Sequence, residues 1–472
     1  MDNPRYTPTD EEMKSLSSLI SERSIPKLNQ VTLSYIEKVT DKKWNDESVL
    51  EKIRAGITGQ KDSYWKEGDK KSVAYRGAYS VLSYMAYQMP GYVHEVSEFF
   101  AGLLTSGLIR KHIRVLDVGA GPGTATLGIA RVLSAVPSMT AEITAVERAE
   151  THREAYSFVV PRMLQSFGGN TKANKPLSLD ITKELPEGEF DLIICANINE
   201  LTSLDREGKA NLLVELSKHL SRDGNLVVLE PADLENSTAL RDVSRLAKEK
   251  GLTIYAPCND IRGVPCKVSP CWTFKSYADI KPTRLMYALG GEKEKYRFVN
   301  TDVKFSYAVF RTDGHRKCGY RIPADAKRAR LSQIKRHEGK RIHVTVSVMS
   351  NDIGDMKNYL FLACDGSGTV PCYLALPAFH RTPEHEALLT ASYGSVVAVD
   401  SVLVRYNQKQ KAYNLLMGQE SFCRMIAGTS TGVPAPDKAK ALKEKYGTGR
   451  RGVHYAGERK KGETSSKKKV RK

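Results

Sequence analysis

The sequence lacks any apolar run long enough to cross a bilayer, although 41% of its 472 residues are hydrophobic. A membrane-spanning helix needs about 20 consecutive apolar residues, so we expect no membrane partner. The first residues, MDNPRYTPTDEEMKS, are polar and acidic. They resemble neither a secretory signal nor an arginine-rich transit peptide. We therefore expect a cytoplasmic protein.

Acidic residues are scarce relative to basic ones: 54 Asp and Glu stand against 72 Lys and Arg, for a formal net charge of +18. The imbalance is concentrated in residues 437–472, which hold 14 Lys or Arg and 4 Asp or Glu. Such an excess favours a polyanionic partner, most simply nucleic acid. An anionic membrane surface and a solvated tail without a fixed partner are the alternatives.

The eight cysteines include no C-x₂-C pair, and without a secretion signal we expect no disulfides. Cys258, Cys266 and Cys271 fall within 14 residues of a segment rich in turn-forming residues. Clustered thiolates in a cytosolic protein hold zinc or an iron–sulfur cluster, and the uneven spacing beside prolines fits iron–sulfur better. A fourth ligand is required, and Cys318 is the nearest candidate. Three unligated thiols in a loop are the alternative.

Residues 115–128, VLDVGAGPGTATLG, organise the rest of the chain. They predict a buried strand, a turn at Gly119, Gly121 and Gly123, and the start of a helix. Glycine lets a ligand approach the backbone closely, and a helix start favours a polar or anionic ligand. The G-x-G-x-G spacing after Asp117 resembles the first motif of class I S-adenosylmethionine (SAM) methyltransferases.

Two further acids support a nucleotide-type pocket. A strand predicted at 143–146 ends at Glu147, where a carboxylate can accept both ribose hydroxyls. A third strand, predicted at 177–179, leads into Asp180, the usual neighbourhood of an adenine. A sheet with a tight turn and no cofactor is the alternative reading of the same pattern.

No clear catalytic constellation follows the fourth predicted strand, at 190–196. Amino-directed methyltransferases carry Asn/Asp-Pro-Pro-aromatic there, whereas this chain has Asn197-Ile-Asn-Glu200. Glu200 is a candidate for a base or a substrate ligand, and Asn197 is a candidate for orienting an acceptor. Capping the following helix is an equally good role for Glu200.

The order of patterns predicts an α/β protein with five parts. Residues 1–105 are helical, and their tyrosines Tyr79, Tyr84, Tyr87 and Tyr92 fit core packing better than stacking on RNA or a cofactor. Residues 106–326 alternate strands and helices, with about seven strands and an antiparallel last one at 304–311. A basic linker spans 327–340, and a basic disordered tail spans 429–472.

Residues 341–428 carry five short alternating strands with a helical insertion before the fourth, which predicts an OB-fold-like barrel that binds single-stranded nucleic acid. His343, Tyr359, Phe361 and Tyr373 are candidates for its stacking face, although alternate members must instead point inward. Cys364 and Cys372 occupy strand positions and are expected in the core. A purely structural barrel is the alternative.

Several of these segments recur together in one family. The tyrosine-rich helix at 75–92, the VLDVGAGPGTAT turn, Asn199-Glu200-Leu201, Glu230-Pro231, Ala256-Pro-Cys258 and the strand KFSYAVFR at 304–311 resemble the methyltransferase-like assembly proteins of the small ribosomal subunit. These are known from mitochondria, bacteria and archaea. The resemblance covers roughly residues 70–320.

The resemblance implies a SAM-binding, Rossmann-like fold, a four-cysteine [4Fe–4S] site and docking on small-subunit rRNA. In the family the first cysteine is usually followed by Pro-His and the cluster ends in Trp-Cys-His-Phe, whereas this chain has Asn259-Asp260 and Cys271-Trp-Thr-Phe274. The expected function is an rRNA-binding assembly factor. An active SAM-dependent rRNA methyltransferase is the alternative, and a small-molecule methyltransferase fits the charge poorly.

Overall fold

The computed structural model describes residues 3–64, 77–197, 204–292, 294, 296–433 and 435–446. Among them, no helix is both long and apolar enough to traverse a membrane. Three parts follow one another along the chain: a helical region, a mixed α/β sheet with its covering helices, and a β-barrel.

The helical region begins with a well-capped helix, because Thr9 and Glu12 form a reciprocal capping box at its start. The last helix of the region packs on the helix that follows the glycine turn. The five helices are α1 (Asp10–Ser21), α2 (Pro26–Thr40), α3 (Glu47–Tyr64), α4 (Ala78–Tyr87) and α5 (Met89–Thr105).

The sheet contains eight strands within the described residues. In chain order its elements are β1 (His112–Val118), α6 (Thr124–Ser134), β2 (Thr140–Val146), α7 (Glu150–Phe167), β3 (Thr171–Ala173), β4 (Phe190–Ala196), α8 (Arg206–Ser217), β5 (Leu220–Pro231), α9 (Leu234–Glu249), β6 (Thr253–Ala256), β7 (Lys275–Tyr277), α10 (Arg284–Gly290) and β8 (Val303–Arg311).

Strand order in this sheet is β3-β2-β1-β4-β5-β8-β6, with β7 paired to β8. The first five strands run parallel, whereas β8 is antiparallel to β5 and β6. The apolar run FDLIICA of β4 is buried along almost its whole length, as expected for a central parallel strand covered on both faces. The order reverses between β1 and β4, and ligands of open α/β sheets bind at such a switch point.

The C-terminal part closes into a five-stranded barrel. Its strands are β9 (Arg341–Val348), β10 (Asn358–Cys364), β11 (Cys372–Pro377), β12 (Val396–Asn407) and β13 (Ala412–Leu416), with α11 (Glu386–Leu389) before β12. The ring is β9-β10-β11-β13-β12, and β12 returns to β9. The pair β11–β13 is parallel, and the other pairs of the ring are antiparallel.

Besides the short strand β7, which was not predicted, two strand assignments differ from the sequence prediction. The third strand of the sheet is β3 at 171–173, and Leu177 contributes only an isolated bridge to Val146. So short a strand is defined by its hydrogen bonds to a neighbouring strand, and here β2 pairs with residues 171–173 rather than with 177–179. The second difference is an extra strand, β14 (Phe422–Ala427), which pairs with β12 outside the ring.

The expected linker and tail both pack on the barrel where they are described. Leu331–His337 forms a 3₁₀ helix whose Leu331 and Ile334 are buried in the barrel core. The tail forms α12 (Lys438–Tyr446). Lys438 pairs with Asp352 at 2.5 Å, and its backbone N–H donates to Tyr359 Oη at 3.1 Å. The expected disorder is therefore wrong for 435–446, and residues 447–472 lie outside the described part.

The barrel and the sheet share an interface. Asn259 donates from Nδ2 to Ser347 Oγ at 3.0 Å and to the Gly394 carbonyl at 2.6 Å. The buried Arg262 guanidinium lies 3.4 Å from the Asp365 carboxylate. Tyr393 of the barrel belongs to the same apolar core as Tyr307 of β8. These contacts place the loop after β6, which holds the clustered cysteines, against the barrel.

Candidate cofactor and metal sites

The glycine turn lies at the carboxyl end of β1, as predicted. Gly119, Gly121 and Gly123 all have positive φ, of 70°, 57° and 100°. The N–H groups of Gly119 and Ala120 donate to the Val146 carbonyl at 2.8 and 3.0 Å. The turn is therefore tied to the end of the neighbouring strand β2.

Glu147 stands beside this turn and is 7% exposed. Its Oε2 accepts from Gly121 N at 3.0 Å, and its Oε1 accepts from Ala149 N at 2.6 Å. Each carboxylate oxygen can accept more than one hydrogen bond, so the same group retains capacity for ligand hydroxyls. The structure thus brings Glu147 to the three glycines.

Asp117 has a supporting place rather than a ligand-facing one. Its Oδ2 accepts from Thr126 N at 3.0 Å and from Thr126 Oγ1 at 2.7 Å, inside the sheet–helix layer. Burial raises the pKa of this carboxyl to about 6. Asp117 therefore holds the first turn of α6 in position behind the glycines.

Asp180 pairs with the residue that follows Glu147: Arg148 Nη1 lies 3.4 Å from Asp180 Oδ2. Asp180 Oδ1 accepts from Thr182 N at 3.1 Å and from Thr182 Oγ1 at 2.7 Å. The Thr182 hydroxyl is the main cause of a lowered pKa at Asp180.

Asn197 follows β4 across the switch point from the glycine turn. Its N–H donates to the Leu229 carbonyl at 2.7 Å, and its φ is 59°. Asparagine adopts this left-handed conformation more readily than most residues with a side chain. The other candidate, Glu200, lies outside the described residues.

The tyrosines of α4 are expected mainly in the core, and one of them also reaches the start of the helix that follows the glycine turn. Tyr84 Oη lies 3.1 Å from Thr124 Oγ1 at the start of α6. Its ring centroid is 6.1 Å from that of His152, on α7. Tyr79, Tyr84 and Tyr87 also pack against a core cluster.

Three of the four predicted cysteine ligands line one cavity of about 190 Å³, together with a cysteine that was expected in the core. Cys258, Cys266 and Cys271 come from the loop after β6, and Cys364 comes from the end of β10. A single water needs only ~10–15 Å³ of such volume, so the cavity can hold a multi-atom group. As the described side chains stand, no group of three or more His, Cys, Asp or Glu is arranged to bind a metal ion.

Cys318 is not among the residues that line this cavity. It is buried and packs with Ile261, Ile322 and Val396 in a small apolar cluster. The chain does double back after β8, since Lys317 N donates to the Tyr255 carbonyl at 3.1 Å. That return brings Cys318 to the apolar cluster rather than to the other thiols.

Charge and hydrogen bonding distinguish the four thiols. Arg241 Nη1 lies 3.7 Å from Cys258 Sγ, and Arg245 Nη2 lies 3.8 Å from Cys266 Sγ. The hydrogen bond between Cys266 and Cys364 lowers the pKa of Cys266 to about 6 and raises that of Cys364. Burial raises the pKa of Cys271 to about 12. Cys266, beside the Arg245 guanidinium, is therefore the thiol of the four that ionises most readily.

The expected stacking face of the barrel is wrong for three of its four aromatic residues. Tyr359 and Phe361 point into the barrel core, with exposures of 0% and 4%. Tyr373 packs against the core shared with the sheet. His343 is exposed, and its Nδ1 lies 2.9 Å from Asp400 Oδ1. Cys372 lies in the barrel core, as expected.

The strand order, the antiparallel β8 and the glycine turn after β1 together define a class I SAM methyltransferase-like fold. The family described as mitochondrial small ribosomal subunit Rsm22 matches residues 78–352, more than half of the chain. The chain therefore belongs to this family. A domain of unknown function, the DUF8157 C-terminal domain, matches residues 332–426.

The solved structures that resemble this chain are distant from it. The plantazolicin methyltransferase BpumL in complex with SAH is 14% identical, with a TM-score of 0.31, and the match covers 56% of this chain and 98% of BpumL. A SAM-dependent methyltransferase from Leishmania major is 15% identical, with a TM-score of 0.29, over 54% of this chain and 82% of its own. No curated protein matches the chain in sequence.

Proposed function

We propose that this protein is an assembly factor of the small ribosomal subunit that binds rRNA, holds SAM at the glycine turn and carries a metal group in the cysteine cavity. Membership of the Rsm22 family, over residues 78–352, is the observation that carries the proposal. The excess of 18 positive charges supports an RNA partner. The family description names a mitochondrial subunit, and the cytoplasmic location stays a prediction.

The donor set fits a metal group of the thiolate-binding kind. Cys258, Cys266, Cys271 and Cys364 line the same cavity, and four cysteine ligands are the usual complement of a [4Fe–4S] cluster or a structural zinc ion. Four thiolates around a doubly positive metal group leave a net charge of −2. Arg241 and Arg245, each near one sulfur, offset that charge in a buried setting.

A metal group held this way has a structural role. Three ligands belong to the loop after β6 and the fourth belongs to the barrel, so the metal joins the two parts of the chain. The loop is long and rich in turn-forming residues, and metal coordination supplies folding free energy to such a segment. We expect the metal to fix the orientation of the barrel relative to the SAM domain.

The SAM site uses the residues around the turn. Gly121 and Glu147 are the groups that would meet the ribose and the amino-acid part of the cofactor, and Asp180 is the residue that we expect near the adenine. Asp117 acts indirectly, through α6. Asn197 favours the second candidate function, rRNA methylation, because it follows β4 across the switch point from the turn.

The metal proposal is tested with two matched variants, Cys364→Ser and Cys318→Ser, purified anaerobically beside the unchanged protein. We expect iron with acid-labile sulfide in the unchanged protein and in Cys318→Ser, and loss of most of the metal in Cys364→Ser. One zinc per chain without iron would favour the zinc alternative. Metal retained in Cys364→Ser but lost from Cys318→Ser would restore Cys318 as the fourth ligand.

The functional alternatives are separated by incubating the protein with methyl-labelled SAM and small-subunit rRNA. Tight rRNA binding without transfer of label supports an assembly factor. Label in the rRNA, lost on Gly121→Trp, supports the methyltransferase. Absence of both RNA binding and transfer would overturn the proposal.

A further inference from the structure

One side of the barrel is unavailable to nucleic acid. Barrels of the OB type commonly bind oligonucleotides across their second and third strands, which here are β10 and β11. Leu362 of β10 lies in the core shared with the sheet, and Cys364 and Tyr373 pack against that core. Any nucleic acid that the barrel binds must therefore use another surface.

A second surface of the barrel is the candidate for binding nucleic acid. We call it the hairpin edge, and it is formed by residues 335–341 and 405–411. The first segment leads into β9, and the second is the turn between β12 and β13 with its flanking residues. Gly339 N donates to the Val404 carbonyl at 2.9 Å, and Val404 N donates to the Lys340 carbonyl at 3.0 Å. These backbone bonds hold the two segments side by side.

The hairpin edge is strongly basic. The two segments contain seven Lys or Arg and one acidic residue, Glu338. Arg341 is paired with Glu420. Within the described part of the chain, the remaining six basic side chains form no salt bridge and are exposed: Lys335, Arg336, Lys340, Arg405, Lys409 and Lys411. Their charges are therefore free to meet phosphates.

A supported aromatic ring lies among these charges. Tyr406 is 40% exposed, and its ring centroid is 4.9 Å from that of Tyr413. Tyr413 is 6% exposed and belongs to the barrel core. The buried ring thus supports the exposed one, and an exposed ring beside cations is a stacking platform for an unpaired base.

We propose that the hairpin edge binds an unpaired RNA segment, with Tyr406 stacking on a base and Arg405, Lys409 and Lys411 contacting the flanking phosphates. This inference rests on the RNA-binding function proposed above and names the surface that performs it. An unpaired segment is specified because bases in a duplex present no free face to an aromatic ring. The edge has cations with a single exposed ring and no broad apolar face, which disfavours a membrane surface.

The test compares two charge-matched triple variants of the full chain. One carries Arg405→Glu, Lys409→Glu and Lys411→Glu. The control carries Lys14→Glu, Lys27→Glu and Lys43→Glu, which are exposed residues of the N-terminal helical region. Affinity for a fluorescent single-stranded RNA oligonucleotide is measured across salt concentrations, with melting temperatures recorded for each protein.

The hairpin-edge triple is expected to weaken binding at low salt and to flatten the slope of log K against log salt by about 2, since each phosphate contact on a single strand contributes ~0.7. The control should keep the slope of the unchanged protein. Tyr406→Ala should weaken binding roughly tenfold, and Tyr406→Phe should retain it.

The possible outcomes separate the two levels of the argument. If the unchanged protein binds RNA and the two triples behave alike, the hairpin edge is wrong while the proposed function stands. If the unchanged protein binds neither the oligonucleotide nor small-subunit rRNA, the proposed RNA-binding function itself fails. A hairpin-edge triple that binds the oligonucleotide normally but loses intact small subunits would indicate a protein contact and overturn the assignment to RNA.

Discussion

Gly121 and Gly123 occupy the same turn but should respond differently to the addition of one methyl group. At Gly123, φ is 100°, and a Cβ would stand 2.2 Å from Val160 Cγ2 on α7. At Gly121, φ is 57°, and the nearest heavy atom outside its immediate neighbours, His152 Nδ1, would be 3.6 Å from the new Cβ. A side chain at Gly123 would therefore be crowded, whereas one at Gly121 would have open space.

The magnitudes follow from these contacts. A left-handed backbone costs a residue with a side chain ~1–2 kcal/mol; Gly121→Ala incurs this cost, and Gly123→Ala, whose φ of 100° lies outside the left-handed well, incurs at least as much. Gly123→Ala also forces the buried Val160 to shift, and overpacking of this kind costs ~1–3 kcal/mol. We therefore expect Gly123→Ala to be about 2 kcal/mol less stable than Gly121→Ala, or ~4–8 °C lower in Tm for a domain of this size.

Denaturant unfolding and scanning calorimetry of the two variants measure this difference. Gly121→Ala serves as the control for backbone strain, because it makes the same chemical change in the same turn. Equal losses of stability in the two variants would refute the reasoning that α7 closes on Gly123 while Gly121 faces open space.

Three further predictions concern the site and the core. Gly121→Trp should abolish SAM binding because its side chain projects into the open space at the turn; unchanged affinity in titration calorimetry would remove Gly121 from the cofactor site. Burial raises the pKa of Asp117 to about 6, so between about pH 4 and 6 the folded protein binds a proton that the unfolded chain has lost, and stability falls by about 3 kcal/mol as pH rises through this range. Asp117→Asn should remove that dependence, and urea unfolding from pH 4 to 8 that shows the same slope in both proteins would contradict it. Ile334→Ala should destabilise the barrel by ~2–4 kcal/mol because Ile334 is 3% exposed in its core; a loss below ~0.5 kcal/mol would mean that residues 331–337 act only as a linker.

The geometry of the glycine turn and the position of Glu147 beside it were largely predictable because these parts are local in sequence. A glycine turn between a buried strand and a helix requires the positive φ values found at Gly119, Gly121 and Gly123, and an acid after the next parallel strand must reach the same edge of the sheet. The sequence did not predict the role of each acid: Asp117 was expected among the cofactor-binding residues, but its carboxylate accepts hydrogen bonds from Thr126. Whether a carboxylate faces a ligand or a helix depends on side-chain packing.

The cysteine cavity shows that nearness along the chain does not predict which cysteines come together in the fold. Cys318 is the nearest fourth cysteine along the chain, yet Cys364 lines the cavity with the other three. The sequence did not show that Cys364, on β10, would meet the other three cysteines. The surface that it contacts belongs to the loop after β6, which is distant from it along the chain.

By itself, the sequence determined the alternation of strands and helices, the glycine turn, the basic charge and the barrel, because apolar periodicity and glycine requirements act over a few residues. Only the tertiary structure decided which thiols meet, which side of the barrel is covered and which aromatic ring is exposed. Tyr359 and Tyr406 are both strand tyrosines, but one is fully buried and the other is 40% exposed. That difference arises from ring closure and from docking against the sheet, which join residues far apart in the chain.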